Sequence, residues 1–426
     1  MSATLAADPI SPPGDELSGS RRLRLILVLG SLVAIGPLTI DMYLPALPAL
    51  TEELQTTNTA AKMTLTGTLL GLGLGQLVIG PLSDSLGRRG PLLAGLVVHV
   101  LASALCVFAP TIGALSLFRV LQGLGVAAAA VVAMAVLRDL FSGAAFARLL
   151  SRLLLVMGAA PILAPTLGGA VLRWTDWRGV FVVLAGFGVL LIAVAFYGLP
   201  ESLPPARRQP ASLRTTLRSC RTVLRDRTFV GLVLVAGLAM AALFAYVAGS
   251  PFVFQEEYGL SEQQFAVAFG AGAVGLIAAT QLNAWLLRRY SPQRLLATAL
   301  VAGSVAGLVL VGFAATGVGG LVGTMVPLWL VLAAAGLALP NAPALAMSRH
   351  GEAAGTAAAV LGAVQFGVGG LAAPVVGLVA PGSEGLAMAV VIAGGMLAAT
   401  LLLAFLIRRG IPDLPPGDGH PVVVGH

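Results

Sequence analysis

Charge is what this chain lacks most. Only 10% of its 426 residues are Asp, Glu, Lys or Arg, against roughly 25% in soluble domains, so a soluble globular class is excluded. Lysine is almost missing: Lys62 is the single one, and every other basic side chain is arginine. Cysteine is scarce too, with Cys106 in an apolar run and Cys220 in a polar one, which excludes a disulfide framework. Acids are outnumbered, and the formal charge is +7. Such an excess would suit nucleic acid, but the arginines sit in short connections between apolar runs, where membrane topology accounts for them. No nucleic-acid partner is expected. A Walker-type phosphate loop, a metal-spaced Cys/His set and a Ser-His-Asp grouping are all missing. An enzyme and an ATP-driven pump therefore lack residues, and neither a metal nor a cofactor is expected. His420 and His426 lie in a polar tail, not in ligand spacing. No stretch before Arg21 is apolar enough for a signal peptide.

What is present is hydrocarbon. Hydrophobic residues make up 58% of the chain, and the mean hydropathy is +0.95. A helix needs about 20 apolar residues to cross a bilayer. Runs of that kind give twelve spans: 25–47, 62–81, 91–110, 113–137, 149–171, 179–199, 229–252, 265–287, 295–315, 325–346, 354–380 and 385–407. Gly317, Gly319 and Gly320 mark a turn in the least sharply bounded region, 301–346. The expected fold class is an all-α membrane protein of twelve transmembrane helices.

Arginine placement orients the spans. With the N-terminal tail inside, Arg21, Arg22, Arg24, Arg88, Arg89, Arg138, Arg148, Arg152, Arg288, Arg289, Arg294, Arg349, Arg408, Arg409 and a central cluster from Arg207 to Arg227 all fall on the cytoplasmic side. Lys62, Arg173 and Arg178 fall outside, and Arg119 lies within a span. Both termini are expected in the cytoplasm. The central polar stretch Glu201–Thr228 holds Pro204, Pro205 and Pro210, and part of it suits a basic amphipathic helix on anionic lipid. It divides the chain into a tail at 1–24, expected disordered, a six-helix bundle at 25–199, a basic linker at 200–228, a second six-helix bundle at 229–407 and a tail at 408–426. The halves are faintly alike: Pro45 in span 1 answers Pro251 in span 7, and Gly80–Leu93 answers Asn283–Leu296. Parallel halves with a site between them at mid-membrane are a recurring transporter architecture.

Asp41 is the chain's focal residue. It lies in Ile40-Asp41-Met42-Tyr43-Leu44-Pro45, near the end of the first apolar run. An acid at hydrocarbon depth costs a few kcal/mol or more and marks a functional site by default. Arg119 in span 4 is its opposite in sign, and both sit roughly 9–10 Å below the outer face at 1.5 Å per residue. Pairing, direct or through Gln122, is the economical arrangement. Two plainer readings stand beside it: a static ion pair that fixes helix register, and an idle Asp41 in the headgroup region. The functional reading uses the pair as a switch. Beside a guanidinium a carboxylate stays ionised, and buried alone a carboxyl keeps its proton. Motion of span 1 against span 4 would then load or release a proton, driven by about 2.3 kcal/mol per charge per 100 mV.

Two further stretches stand out. Gly80-Pro81-Leu82-Ser83-Asp84-Ser85-Leu86-Gly87-Arg88-Arg89 reads as an inner loop with a tight turn, in which Asp84 accepts from an arginine or a helix N-terminus. An ordinary turn with stop-transfer arginines is the alternative. Gly158–Gly169 in span 5 places Pro161 and Pro165 four apart among small residues, which gives either a bent, leak-tight interface or a plain packing kink.

These stretches resemble, in order, the motifs of one family. Gly80–Arg89 looks like the loop signature of the major facilitator superfamily. Arg119-Val120-Leu121-Gln122-Gly123-Leu124-Gly125 resembles the span-4 motif of its proton-coupled members, and Pro161, Pro165, Gly168 and Gly169 resemble its antiporter motif. Ile40–Pro48 resembles the first span of Bcr/CflA-type multidrug efflux proteins, in the twelve-span drug:proton antiporter group. Gly249–Val253, Pro340-Asn341-Ala342 and Ala354-Gly355-Thr356-Ala357 with Gln365 are similar to later pieces of that subgroup. The resemblance covers about 25–407. It implies the major facilitator fold of two pseudo-symmetric six-helix bundles, with Asp41 as the protonatable acid and Arg119 tied to proton coupling. It makes Asp84, Arg88 and Arg89 gating residues, and Pro161, Pro165 and Gly169 the antiporter element. Leu287 stands where the repeat would place the partner of Asp84, so gating by charge is expected to lean on the N-terminal half.

Candidate cavity residues on the inward faces are Tyr43, Gln122, Phe244, Tyr246, Phe252, Gln281, Asn341 and Gln365. An aromatic, mostly apolar wall with a few amides suits neutral or weakly cationic amphiphiles, though each residue also suits interhelix packing. His99 in span 3 suits a hydrogen-bonded packing role, with a proton relay as the alternative. The implied function is a proton-coupled antiporter that exports small lipophilic drugs or antibiotics across the bacterial cytoplasmic (inner) membrane, powered by the proton motive force. A proton-coupled exporter or symporter of an endogenous metabolite on the same fold is the alternative. The expected partners are substrate, protons and membrane lipid, with the protein a monomer.

Overall fold

The computed structural model of the chain describes residues 19–208, 213–350, 354–380 and 382–410. The tails at 1–18 and 411–426, and Pro210, lie outside the described residues. The described chain is helix joined by short turns, and twelve helical segments are long and apolar enough to cross a membrane. The first is α1 (Gly19–Asp41), a one-turn 3-10 segment at Leu44–Ala46 and α2 (Leu47–Glu53). Five more follow: α3 (Asn58–Leu86), α4 (Arg89–Val107), α5 (Ile112–Leu140), α6 (Gly143–Leu172) and α7 (Trp177–Gly198). A short linker helix, α8 (Leu213–Arg225), precedes the other six: α9 (Arg227–Phe252, extended by a π turn at Val253–Glu257), α10 (Glu262–Leu286), α11 (Pro292–Thr316), α12 (Gly320–Met347), α13 (Ala354–Leu378) and α14 (Glu384–Arg408). The glycine turn falls where the sequence placed it: Gly317 (φ 67°) and Gly319 (φ 79°) take left-handed conformations open mainly to glycine.

Two differences from the sequence-based expectation concern element bounds. Helix α1 begins at Gly19, inside the stretch expected as tail. Helix α3 runs through Gly80 and Pro81 to Leu86, so the expected ten-residue loop shrinks to a turn at Gly87 (φ 95°) and Arg88. Intrahelical hydrogen bonding explains this: in a membrane every free backbone group is costly, so helices extend to the last residue they can.

The helices pair as two lobes related by a repeat. In the first lobe α3 packs on α5, α4 on α5 and α7, and α1 on α5, α6 and α7. In the second, α10 packs on α12, α11 on α12 and α14, and α9 on α12, α13 and α14. Shifting each span by six maps every pairing of the first set onto one of the second. The contacts between lobes obey the same operation, since α3 meets α13 and α6 meets α10. Glycines let helices of the first lobe touch backbone to backbone. A Cβ on Gly71 would strike the carbonyl of Val120, and one on Gly123 the carbonyl of Thr68.

The loop ends form two faces. The linker face carries the turn at Gly87, α8, the start of α9 and the end of α12. The far face carries the turns after α2, α4, α6, α9, α11 and α13. Exposed aromatics ring both, with Phe108 and Trp174 on the far face and Tyr197, Trp285 and Tyr290 on the linker face, as expected at membrane–water boundaries. Hydrogen bonds joining the lobes gather in the far half: Thr59 to the Gly377 carbonyl (3.1 Å), Thr66 to the Gly370 carbonyl (2.8 Å), Gln255 to the Pro45 carbonyl (3.2 Å) and Gln263 to the Gly169 carbonyl (3.2 Å).

Candidate functional site

Prolines create the site by stopping α1. Pro45 has no N–H for the Asp41 carbonyl and its ring crowds that carbonyl, so the helix ends at Asp41. The chain turns through Met42 and Tyr43 and resumes in the Leu44–Ala46 turn, which packs against α6, α9 and α10. Asp41 thus stands at a broken helix beside the second lobe. Gly168 of α6 makes room: a Cβ there would overlap the Met42 carbonyl oxygen. Gly169 touches the second lobe instead, its carbonyl accepting from Gln263 at 3.2 Å. Pro161 and Pro165 lie inside α6, which stays helical past both of them from Gly143 to Leu172.

Four formally charged side chains are buried among the described residues: Asp41, Lys62, Arg88 and Arg119. Asp41 is 6% exposed and, among the described residues, has no ion pair or hydrogen bond. Arg119 is fully buried and turns to the opened helix end, not to the acid. Its Nη1 donates to the Thr39 carbonyl (2.9 Å) and to Gln122 Oε1 (2.7 Å). Its guanidinium lies 4.5 Å from the Tyr43 ring centre and 5.7 Å from that of Phe181. Gln122 Nε2 donates to Ser103 Oγ (2.7 Å), which donates to the His99 carbonyl (2.7 Å). Tyr43 shares a hydrogen bond with Thr64. The expected Asp41–Arg119 ion pair is therefore not formed in this conformation. The broken helix offers Arg119 a free carbonyl and aromatic faces in its place, a cation–π arrangement favoured where water is excluded.

The eight candidate cavity residues divide. Tyr43 and Gln122 are committed to the Arg119 web. Phe252 is fully buried near the far face under the Lys62 ammonium, 4.9 Å from its ring centre. Asn341 donates to Asn283 Oδ1 (2.6 Å) and the Leu337 carbonyl (2.8 Å) inside the second lobe. Tyr246 stacks on Phe269 (5.0 Å, 12°) and donates to its carbonyl (3.3 Å), while Phe244 meets Phe366 at 6.3 Å. Gln281 is exposed and Gln365 half-buried. Gln281 continues the α10 stripe of Gly270 and Ile277, residues that touch Ile162 and Gly158 of α6, so it faces the lobe interface toward the linker side.

Asp84, Arg88 and Arg89, the loop residues expected to gate, cluster on the linker face. Arg88 donates to Asp139 (2.8 and 3.3 Å), to Ser83 (3.0 Å) and to Asp84 (2.5 Å). Burial works against its charge, but the Asp139 and Asp84 bonds outweigh it and raise its pKa. Arg89 lies 4.7 Å from the Phe196 ring centre and donates to the Phe196 carbonyl (2.5 Å). Glu201 of the linker accepts from the backbone N–H of Arg88 (2.8 Å), Leu203 (3.0 Å) and Arg89 (3.2 Å). Burial would raise the Glu201 carboxyl, but these donors and Arg208 hold it below the usual carboxylate range. Asp139 and Glu201 were missed in the sequence, because neither belongs to a local pattern with Arg88. In the second lobe Asp226 holds Arg349 (2.7 Å) on the same face, an acid–arginine contact where the Leu287 position provides none.

Comparison with known proteins follows the same lines. Residues 29–374 match the family model described as Major Facilitator Superfamily. The "Uncharacterized MFS-type transporter YdgK" of Bacillus subtilis (strain 168) is 36% identical over 352 residues, 81% of this chain and 86% of that one. The "Bicyclomycin resistance protein homolog" of Haemophilus influenzae is 30% identical over 351 residues, 81% of this chain and 86% of that one. A "Chloramphenicol resistance protein" of Pseudomonas aeruginosa is 29% identical over 350 residues, 80% of this chain and 81% of that one. Among solved structures, "Crystal structure of D-xylose-proton symporter" superposes with a TM-score of 0.73 at 17% identity, covering 94% of this chain and 99% of that one, which shows a common fold.

Proposed function

The chain belongs to the Major Facilitator Superfamily, and we propose that it is a proton-coupled antiporter exporting small lipophilic drugs or antibiotics across the bacterial cytoplasmic (inner) membrane. It works by alternating access, with both termini in the cytoplasm. The observation that carries this reading is Asp41: a buried carboxyl at a helix break, against the second lobe, with no counter-ion among the described residues. A carboxyl so placed favours its neutral form, and an opening toward water or a guanidinium favours its charge. Arg119 is bonded to the carbonyl of Thr39, two residues before Asp41, near enough for a shift of α1 against α5 to bring the two together. Movement of the lobes then alternates the acid between holding and releasing a proton.

The substrate class follows from the walls. Tyr246 with Phe269 and Phe244 with Phe366 supply aromatic surface. Gln281 and Gln365 keep side-chain amides that no neighbour among the described residues consumes. One carboxyl cannot hold a proton and a cation together, so proton and cargo compete. The names of relatives that carry bicyclomycin, chloramphenicol and multidrug resistance agree with that class. The exposed arginines of the linker face, including Arg207, Arg218, Arg221 and Arg225, support its cytoplasmic assignment. The test is a susceptibility panel, including bicyclomycin and chloramphenicol, in cells that lack their own efflux. Expression should raise tolerance to at least one neutral compound, and Asp41→Asn should abolish it at equal membrane abundance. Equal tolerance with Asp41→Asn contradicts the reading.

A further inference from the structure

The chain's only lysine is used in one place: Lys62, in the first turns of α3, is fully buried and ion-paired with Glu384 at the start of α14. Of the ion pairs among the described residues, this one alone joins the two lobes. Those of Arg88 with Asp84 and Asp139, and of Arg178 with Glu53, stay in the first lobe, and that of Asp226 with Arg349 stays in the second. The pair has a built surrounding. Asn58, one turn before Lys62, donates from Nδ2 to Glu256 (2.9 Å) and to Glu384 (3.1 Å) across the same gap. Phe252 closes one side of the ammonium at 4.9 Å. The Gly385 N–H donates to Glu257 at 3.1 Å, which ties the first turn of α14 to the end of α9. Thus the first lobe offers one ammonium and one amide to two carboxylates of the second, Glu256 and Glu384.

We propose that Lys62 and Glu384 form the latch that holds the far face closed, and act as positioning residues that set the balance between the two lobe arrangements. This rests on the alternating access proposed above. Three features argue for a latch over a fixed brace. The pair sits where the lobes touch, whereas the linker-face ion pairs leave the lobes unjoined. An ammonium is compact and strongly hydrated, so it regains water when the gap opens, and a single-point contact breaks without disturbing the helices that carry it. The other far-half bonds between the lobes, from Thr59, Thr66, Gln255 and Gln263 to backbone carbonyls, are neutral and weaker than a charge-assisted bond. A buried pair that loses one partner is left with an uncompensated charge, which opening to water relieves.

The test reads the far-face gap itself. Spin labels at Trp174→Cys in the first lobe and Val318→Cys in the second, both exposed on that face, report its width in lipid nanodiscs. Cys220→Ser removes the half-buried thiol, and Cys106 is buried. The otherwise unaltered chain should show a dominant short distance. Lys62→Met and Glu384→Gln should each raise the ratio of long to short by about tenfold, because a broken buried pair favours the hydrated state. The swap of Lys62→Glu with Glu384→Lys should return the distribution toward the short distance. Single variants that keep the unaltered distribution, or a swap no shorter than the singles, overturn the latch. Where Lys62→Met fails to accumulate, Asn58→Ala takes its place: a smaller shift the same way supports the latch, and none overturns it. Tolerance to antibiotics is scored separately, so the distances decide the latch whether or not any compound tried is exported.

Discussion

Replacing Arg88 by alanine removes a guanidinium that is 8% exposed and bonded to three side chains. Its two acidic partners are not equivalent. Asp139 is 17% exposed and takes a forked pair of bonds at 2.8 and 3.3 Å, while Asp84 is 53% exposed and takes one. A half-exposed i,i+4 ion pair contributes about 0.5 kcal/mol or less. A forked, largely buried arginine–carboxylate contact contributes on the order of 2 kcal/mol. Arg88→Ala should therefore cost about 3 kcal/mol, Asp139→Asn about 2 kcal/mol and Asp84→Asn no more than about 0.5 kcal/mol. The assay is unfolding of purified protein in mixed micelles, followed by tryptophan fluorescence and arranged as double-mutant cycles. The Arg88–Asp139 coupling should exceed the Arg88–Asp84 coupling several-fold. Equal couplings, or a larger one to Asp84, would refute the reasoning from burial and return the weight to the local motif.

Two further outcomes follow from the same geometry. Gly168→Ala should destabilise the chain by about 1–3 kcal/mol, since its Cβ overlaps the Met42 carbonyl, whereas Gly169→Ala, whose nearest neighbour lies at 3.5 Å, should stay within about 0.5 kcal/mol; thermal melts of both variants that ranked them the other way would contradict the placement. Acid should weaken the linker face: burial pushes Glu201 and Asp226 up, but their hydrogen bonds and arginines win and hold both below the usual carboxylate range, so their stabilising contribution is whole above that range and is lost as pH falls through their folded values. Unfolding measured against pH should show this loss, and Glu201→Gln should flatten part of the slope; an unchanged slope sinks the assignment.

Much of the fold was legible because a bilayer leaves few choices. Apolar length counted the spans, and Gly317 and Gly319 marked a turn that only glycine enters readily. The helix break at Asp41 was not foreseen, since 25–47 reads as one apolar span although Pro45 stands within it, whereas depth along the helix put Asp41 and Arg119 at one level. Depth does not give the direction a side chain points, however, and the opened Thr39 carbonyl with the Tyr43 and Phe181 rings claims Arg119 here. The clamp on Arg88 and the contact of Lys62 with Glu384 join residues far apart in the chain, for which no local pattern exists. Gly80 misled for a different reason: glycine and proline read as a loop, yet α3 carries both and stays helical where unpaired backbone would meet lipid.

Proton movement through Asp41 is the point on which the proposed function turns. In everted vesicles with an acidified lumen, a pH-sensitive dye reports protons leaving as an exported compound, identified by the susceptibility panel, is added outside. The chain should discharge the gradient on addition, and Asp41→Asn, present in equal amount, should leave it standing. Discharge by Asp41→Asn at the normal rate, or a deepening of the gradient by the unaltered chain, would contradict proton-coupled export through this acid.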